Sequence, residues 1–290
     1  MSSKRLIGAL VALLACVAVP AAVIASSTPA EAAGSNTLTV TAGEYAYTLK
    51  GSLSAGNVQL DFVNGGVEYH MMAMVRLKSG VTAAQLKKAA LSNSDKTFGK
   101  ITQGDGNVAP TPGVLGPNQH TSMITKLSAG HYGIMCFITA PSDGAPHLAH
   151  GMVKVFDVSS SKSSLTAPTD GVVDIALTDT AVTVPSTGIP ATGWAKITNN
   201  GTTGRDFNLA QLNGTTTTAE ADAYFKEFFS NGTAPAGTPP AALVGGVIAV
   251  PKGGTTYLAL SLQKGRYVYA NENSEVDNDP NQVLGEFTIK

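Results

Sequence analysis

The chain has two cysteines in 290 residues, and only Cys136 lies outside the apolar stretch at the N-terminus. Once that stretch is removed, no internal disulfide framework is possible. Charge is also scarce: 19 basic and 20 acidic residues leave a net charge of −1, without a basic stripe or an acidic block. That excludes the electrostatic footprint of a nucleic-acid-binding protein and gives no reason to expect an anionic-membrane partner. Beyond residue 24 no apolar run is long enough to span a bilayer. Histidine and methionine are unevenly placed. His70, His120, His131, His147 and His150 all fall in the first half, with every methionine after Met1, and the second half has none of either. No Ser-His-Asp arrangement, zinc-protease helix or phosphate-cradling loop stands out.

What is present begins with a leader. Lys4 and Arg5 precede an apolar run from Leu6 to Ile24, and Ala30-Glu31-Ala32 supplies a small-residue cleavage pattern. Residues 1–33 therefore read as a secretory signal peptide, and the protein as exported to the cell envelope, the periplasm or the medium. Leu13-Leu14-Ala15-Cys16 loosely resembles a lipoprotein cleavage box, which leaves lipid attachment at Cys16 as a second reading. A lone thiol such as Cys136 in an oxidising compartment needs burial or ligation.

The remaining ~255 residues suit either one large β domain or two of ordinary size, and the chain repeats itself. Val58-Gln-Leu-Asp-Phe-Val-Asn64-Gly-Gly answers to Gly193-Trp-Ala-Lys-Ile-Thr-Asn199-Asn-Gly, each an alternating strand ending in an Asn/Gly turn. Leu127-Ser-Ala-Gly130-His-Tyr132 answers to Leu262-Gln-Lys-Gly265-Arg-Tyr267. Between these motifs each half carries a short helical pattern. Thr82 with Gln85 forms a capping box, and Ala221, Tyr224, Phe225 and Phe228 put a bulky stripe on one helical face, which reads as core packing. The expected fold is all-β, two tandem Greek-key β-sandwiches with one short inserted helix each. The expected boundaries are a first domain at 34–158, a Ser/Thr-rich linker at 159–170 and a second domain at 171–290.

Chemistry concentrates in the first domain. His70 follows the Asn64-Gly-Gly turn, Cys136 ends the Gly-x-Tyr strand, His147 follows Pro146 in the next loop, and Met152 opens the last strand. Loops at one end of a sandwich converge, so one early residue and three late ones can meet. Two imidazoles, a thiolate and a thioether form a ligand set suited to copper, the sulfur donors favouring Cu(I) and the imidazoles also accepting Cu(II). Taken singly, Cys136 reads equally as a small buried hydrophobe and Met152 as core. His150 is an accessory ligand, a neighbour of the site or plain surface. His120 reads as surface or core polar, His131 as exposed, and Met72 and Met74 as sharing the face of His70.

Asn64-Gly-Gly-Val-Glu-Tyr-His70 resembles the first ligand motif of plastocyanin-like cupredoxins. Gly130-His-Tyr132-Gly-Ile-Met-Cys136, followed by Pro146-His147-Leu-Ala-His-Gly151-Met152, resembles their second. The resemblance implies one type 1 copper ion in the first domain, with His70, Cys136 and His147 as equatorial ligands and Met152 as the axial one. It covers most of the first half; the second half resembles the fold only, with Arg205 in the slot of His70 and Asn271 in that of Cys136. One departure stands out. The family places few residues between its Cys and His, whereas Phe137 through Pro146 intervene here.

The resemblance implies one-electron transfer with a redox partner protein. A Cu(I)-handling envelope protein using the same residues with His150 and Met72, and a metal-free interaction module, are the competing readings. The His-x-His pairs with which two-domain copper oxidases hold a catalytic metal are absent, so the chain reads as a carrier more than a catalyst.

Overall fold

The computed structural model describes residues 36–92, 94–103, 108–231, 234–274, 279 and 281–290; the expected leader at 1–33 lies outside the described residues. The first half contains β1 (Thr37–Gly43), β2 (Ala46–Gly51), β3 (Leu53–Asn64), β4 (Ala73–Leu77), β5 (Val108–Ala109), β6 (Thr111–Pro112), β7 (His120–Leu127), β8 (Gly130–Met135) and β9 (Val153–Lys162). Three helices interrupt them: α1 (Ala83–Leu91), α2 (Asp95–Gly99) and α3 (His147–His150). The second half contains β10 (Val172–Leu177), β11 (Val182–Thr183), β12 (Thr192–Asn199), β13 (Arg205–Leu212), α4 (Thr218–Asn231), β14 (Ala241–Val250), β15 (Thr255–Ser261), β16 (Gly265–Asn273) and β17 (Val283–Ile289).

The fold is all-β with a helix inserted in each half, as the strand and turn pattern implies. The strands alternate as half-buried sheets require: Leu38, Val40 and Ala42 of β1 point inward while Thr37, Thr39 and Thr41 do not. In the first half β2-β1-β3-β7 forms one layer and β5-β4-β8-β9 the other, and the long β3 pairs with strands of both. The second half repeats this with β11-β10-β12-β15 against β17-β16-β13-β14.

A constant offset of 135 relates the two halves. It maps Asn64 to Asn199, His70 to Arg205, Leu115 to Val250, Tyr132 to Tyr267 and Cys136 to Asn271. The anchoring contacts follow it. The Tyr132 hydroxyl donates to the Ser128 carbonyl and the Tyr267 hydroxyl to the Gln263 carbonyl, the same corner in both halves.

Each half is long enough for a core of its own, yet the main core is shared and the sheets are joined. β7 pairs with β15, Met123 facing Leu258, and β6 pairs with β14, Pro112 facing Val247. Both facing pairs are related by the same offset, so equivalent residues meet across antiparallel strands, the pattern of a two-fold interface within one chain. The physical reason is edge closure: an unpaired β7 would leave a row of backbone donors and acceptors open. The Thr256 hydroxyl, which donates to the Ile124 carbonyl at 2.9 Å, adds a side-chain tie across the seam. β9 runs on to Lys162, and Ser163 N donates to the Ala55 carbonyl, so this stretch of Ser-rich chain is tied back to the first half.

α1 starts on the expected Thr82–Gln85 capping box. Its Leu86 is fully buried against the outer face of the β4–β8–β9 layer with Leu148 and Val153. A Cβ on Gly133 would lie 2.2 Å from Leu86 Cδ2, so glycine is required for this approach. Lys87 Nζ donates to the Ala149 carbonyl, which fixes α1 to α3 and thereby braces the segment carrying His147.

Candidate metal centre

The Asn64-Gly-Gly turn sets the first side chain. Asn64 Nδ2 donates to the carbonyls of Glu68, Leu115 and Gly116, and its Oδ1 accepts from Gly66 N at 2.9 Å. His70 then exchanges two backbone hydrogen bonds with Leu115, at 3.0 and 2.9 Å. A Cβ on Gly66 would come within 2.3 Å of Glu44 Oε1 and 2.8 Å of His70 Nε2, so the turn must be glycine for both groups to sit over it.

The long segment from Phe137 to Pro146 is a tight hairpin. Ala140 N donates to the Ala145 carbonyl, Gly144 N to the Ala140 carbonyl, and Thr139 faces Pro146. His147 N donates to the Ile138 carbonyl, Leu148 N to the Cys136 carbonyl and Met152 N to the His147 carbonyl, while Cys136 N donates to the Met152 carbonyl at 3.2 Å. The extra residues are thus folded out of the way, and Cys136, His147 and Met152 are backbone neighbours. Expected in a loop, His147 instead opens the short α3, which Pro146 precedes and Gly151, at φ +117°, stops.

His70, Cys136, His147 and Met152 are all 0% exposed. His70 Nδ1 and His147 Nδ1 lie 3.1 Å apart and Cys136 Sγ lies 3.5 Å from His147 Nδ1. One ligand atom from each of the three falls within 4.8 Å of the others, and among the described residues no further group of histidine, cysteine and carboxylate side chains is so arranged. Burial and the neighbouring His147 lower His70 to about 4, burial lowers His147 also, and burial pushes the Cys136 thiol up to about 12. Both rings are therefore neutral near pH 7, with lone pairs available.

These residues fit a metal ion. An ion about 2.0–2.1 Å from each nitrogen and about 2.3 Å from sulfur would see the 3.1 and 3.5 Å separations at angles of roughly 100–110°. Met152 is placed beside them by its two backbone bonds and its burial.

The accessory residues divide. Met72 and Met74 are both buried in the main core. His150 ends α3 instead of alternating with Met152 on a strand, because Gly151 turns the chain between them; its Nε2 meets Asp143 Oδ1 at 3.1 Å. His131, expected to be exposed, is held between Asp157 Oδ1 and the Val81 carbonyl, each at 2.7 Å.

Three residues near the site carry no sequence signal of their own. Glu68 Oε2 lies 2.8 Å from His147 Nε2, Glu44 Oε1 lies 3.9 Å from His70 Nε2, and the Tyr45 hydroxyl donates to Glu68 Oε1 at 3.0 Å. The 135-residue offset could have flagged Glu44, because it maps onto Asp179, another acid.

The equivalent slot of the second half holds a cation of its own. The guanidinium of Arg205 lies 3.2 Å from Asp179 Oδ1 and 3.3 Å from Asp279 Oδ2. Asn271 Nδ2 donates to the Thr178 carbonyl.

Paired Greek-key layers with one histidine after an early turn and Cys, His and Met around the last two strands decide the architecture. The fold is cupredoxin-like. No family model matches the chain, and no curated protein matches it in sequence. Solved structures do. Sodium-dithionite-reduced auracyanin from the photosynthetic bacterium Roseiflexus castenholzii is similar at 24% identity, covering 43% of this chain and 98% of that one, with a TM-score of 0.31. Auracyanin A from Chloroflexus aurantiacus, described as a "blue" copper protein, is similar at 23% identity over 43% of this chain and 99% of that one, with a TM-score of 0.29. A multicopper oxidase covers 88% of both chains at 12% identity, with a TM-score of 0.25. Among the described residues of this cupredoxin-like chain no helix is long and apolar enough to cross a membrane.

Proposed function

We propose that the first half holds one copper ion through His70 Nδ1, Cys136 Sγ and His147 Nδ1, with Met152 as a weak fourth donor, and that the protein passes single electrons to a partner protein. The convergence of two Nδ1 atoms and a thiol at 3.1 and 3.5 Å in a fully buried setting carries this reading. A thioether beside that set favours copper over zinc, because methionine is a soft donor suited to Cu(I). Bound copper would supply the one-electron couple. The chain's part is to hold the donors in one geometry across both oxidation states and to keep water out. The second half, whose slot is filled by Arg205, is proposed to be structural, and the leader is proposed to direct export.

Titrating the protein without its leader with Cu(II) should produce an intense blue, thiolate-derived absorption at one copper per chain, lost in Cys136→Ala. A colourless protein that keeps no copper after dialysis would refute the reading. Full burial of both imidazoles also suits the second reading, a Cu(I)-holding protein; Cu(I) retention without a reversible redox wave would select it.

Proton release gives an independent check. Near pH 7 the thiol is protonated and both imidazoles are neutral, so each copper displaces one proton, from Cys136. Apparent affinity should rise about tenfold per pH unit around neutrality. It should fall more steeply as pH drops toward 4, where His70 also takes up a proton. Competition titrations against a chelator at several pH values measure the slope.

A further inference from the structure

Among the described residues Tyr45 is one of three non-glycine residues with positive φ, at +62° in the turn between β1 and β2. That conformation is uncommon for a bulky side chain and persists only where surroundings hold it. Here it brings the phenol ring over the site, with centroids 5.0 Å from His147 and 4.6 Å from His150. The hydroxyl reaches Glu68 Oε1, and the other oxygen of the same carboxylate lies 2.8 Å from His147 Nε2. The ring nitrogen pointing away from the proposed metal thus faces a carboxylate, which is itself held by a phenol. Glu44 makes a weaker approach to His70, at 3.9 Å, and its Oε1 is already engaged by the N–H groups of Val67 and Glu68.

The duplicated half supplies a control. The offset maps Tyr45 onto Thr180 and Glu68 onto Thr203, whereas Glu44 keeps an acidic counterpart, Asp179. The phenol and its carboxylate therefore occur only in the half that has the His, Cys, His cluster. Glu44 belongs to the shared scaffold.

Resting on the copper reading above, we propose that Glu68 and Tyr45 are positioning residues: a clasp that holds His147 with Nδ1 inward, in which the Glu68 carboxylate favours Cu(II) over Cu(I) and the Tyr45 hydroxyl tempers that preference. A negative charge at the far side of a ligating imidazole strengthens it as a donor and stabilises the more positive ion. The Tyr45 hydroxyl takes up part of that charge by hydrogen bonding to Glu68.

The test is the reduction potential of the copper-loaded protein, read beside its visible spectrum. Glu68→Gln keeps the shape and removes the charge. It should stay blue, lose ten- to a hundredfold in Cu(II) affinity relative to Cu(I), and so rise by about 60–120 mV. Tyr45→Phe leaves the charge wholly on His147 and should move the potential the other way, by a smaller amount. A role in folding alone would not separate the two by sign. An unchanged or lower potential in blue Glu68→Gln, or a rise in Tyr45→Phe, overturns the clasp. If Glu68→Gln does not fold, the sign in Tyr45→Phe decides. A wild-type protein that never turns blue overturns the copper reading instead.

Discussion

Arg205→Ala should lower the unfolding free energy by about 3 kcal/mol, because removing one member of a buried ion pair leaves the other charge unpaired. The Arg205 side chain is 3% exposed and that of its partner Asp279 is 6% exposed, so their pairing dominates the loss. Asp179, at 39%, is wet enough to survive without the guanidinium and also accepts from Thr202 N and its hydroxyl. The value therefore sits at the low end of the usual range of about 3–5 kcal/mol. For a chain of this size it corresponds to a fall of about 6–12 °C in Tm. Urea and thermal unfolding measure both. A loss below about 1 kcal/mol would show that the guanidinium is solvated in solution and that the slot is not closed around it.

The second large effect is the coupling of copper to stability. At free copper a thousandfold above Kd, binding to the folded state alone contributes about 4 kcal/mol. Tm should then rise by about 8–16 °C over the metal-free protein. Cys136→Ala should abolish the rise while costing the metal-free protein far less, since it trims a single sulfur from a buried side chain. The comparison to make is the copper-dependent increment in each protein. An increment that survives in Cys136→Ala would place the metal elsewhere. The two experiments address equivalent slots: in the reading proposed above one half is stabilised by an ion it must acquire, while the other holds a cation encoded in its chain.

Much of this was legible in the chain. The β periodicity, the Asn64/Asn199 and Tyr132/Tyr267 repeats and the capping box at Thr82 correspond to local rules of strand, turn and helix, and each is found in the structure. The four proposed ligands stood out because they fall in two ordered motifs that resemble those of cupredoxins, in the half that holds all the histidines. What escaped is non-local or very short. Glu68 lies two residues before His70, but its role comes from a carboxylate reaching His147, far along the chain. Tyr45 acts through a backbone conformation that its identity disfavours. The hairpin at Phe137–Pro146 and the single-turn α3 are too short for a hydrophobic period, and only Pro146 and Gly151 mark the latter. The joined sheets leave no local trace, because a strand bound for another sheet has the same alternation as an edge strand.

The seam between β7 and β15 has a further consequence. A contact in which Met123 faces its own counterpart Leu258 does not distinguish the strand supplied by its own chain from the same strand supplied by another molecule. Selection is left to the short tether between β9 and β10, which holds the two edges at an effective concentration on the order of millimolar. Below that concentration the chain closes on itself. An exchange of halves between two chains would rebuild the same seam but would have to reroute this linker, which is bonded to the first half through Ser163 and Leu165.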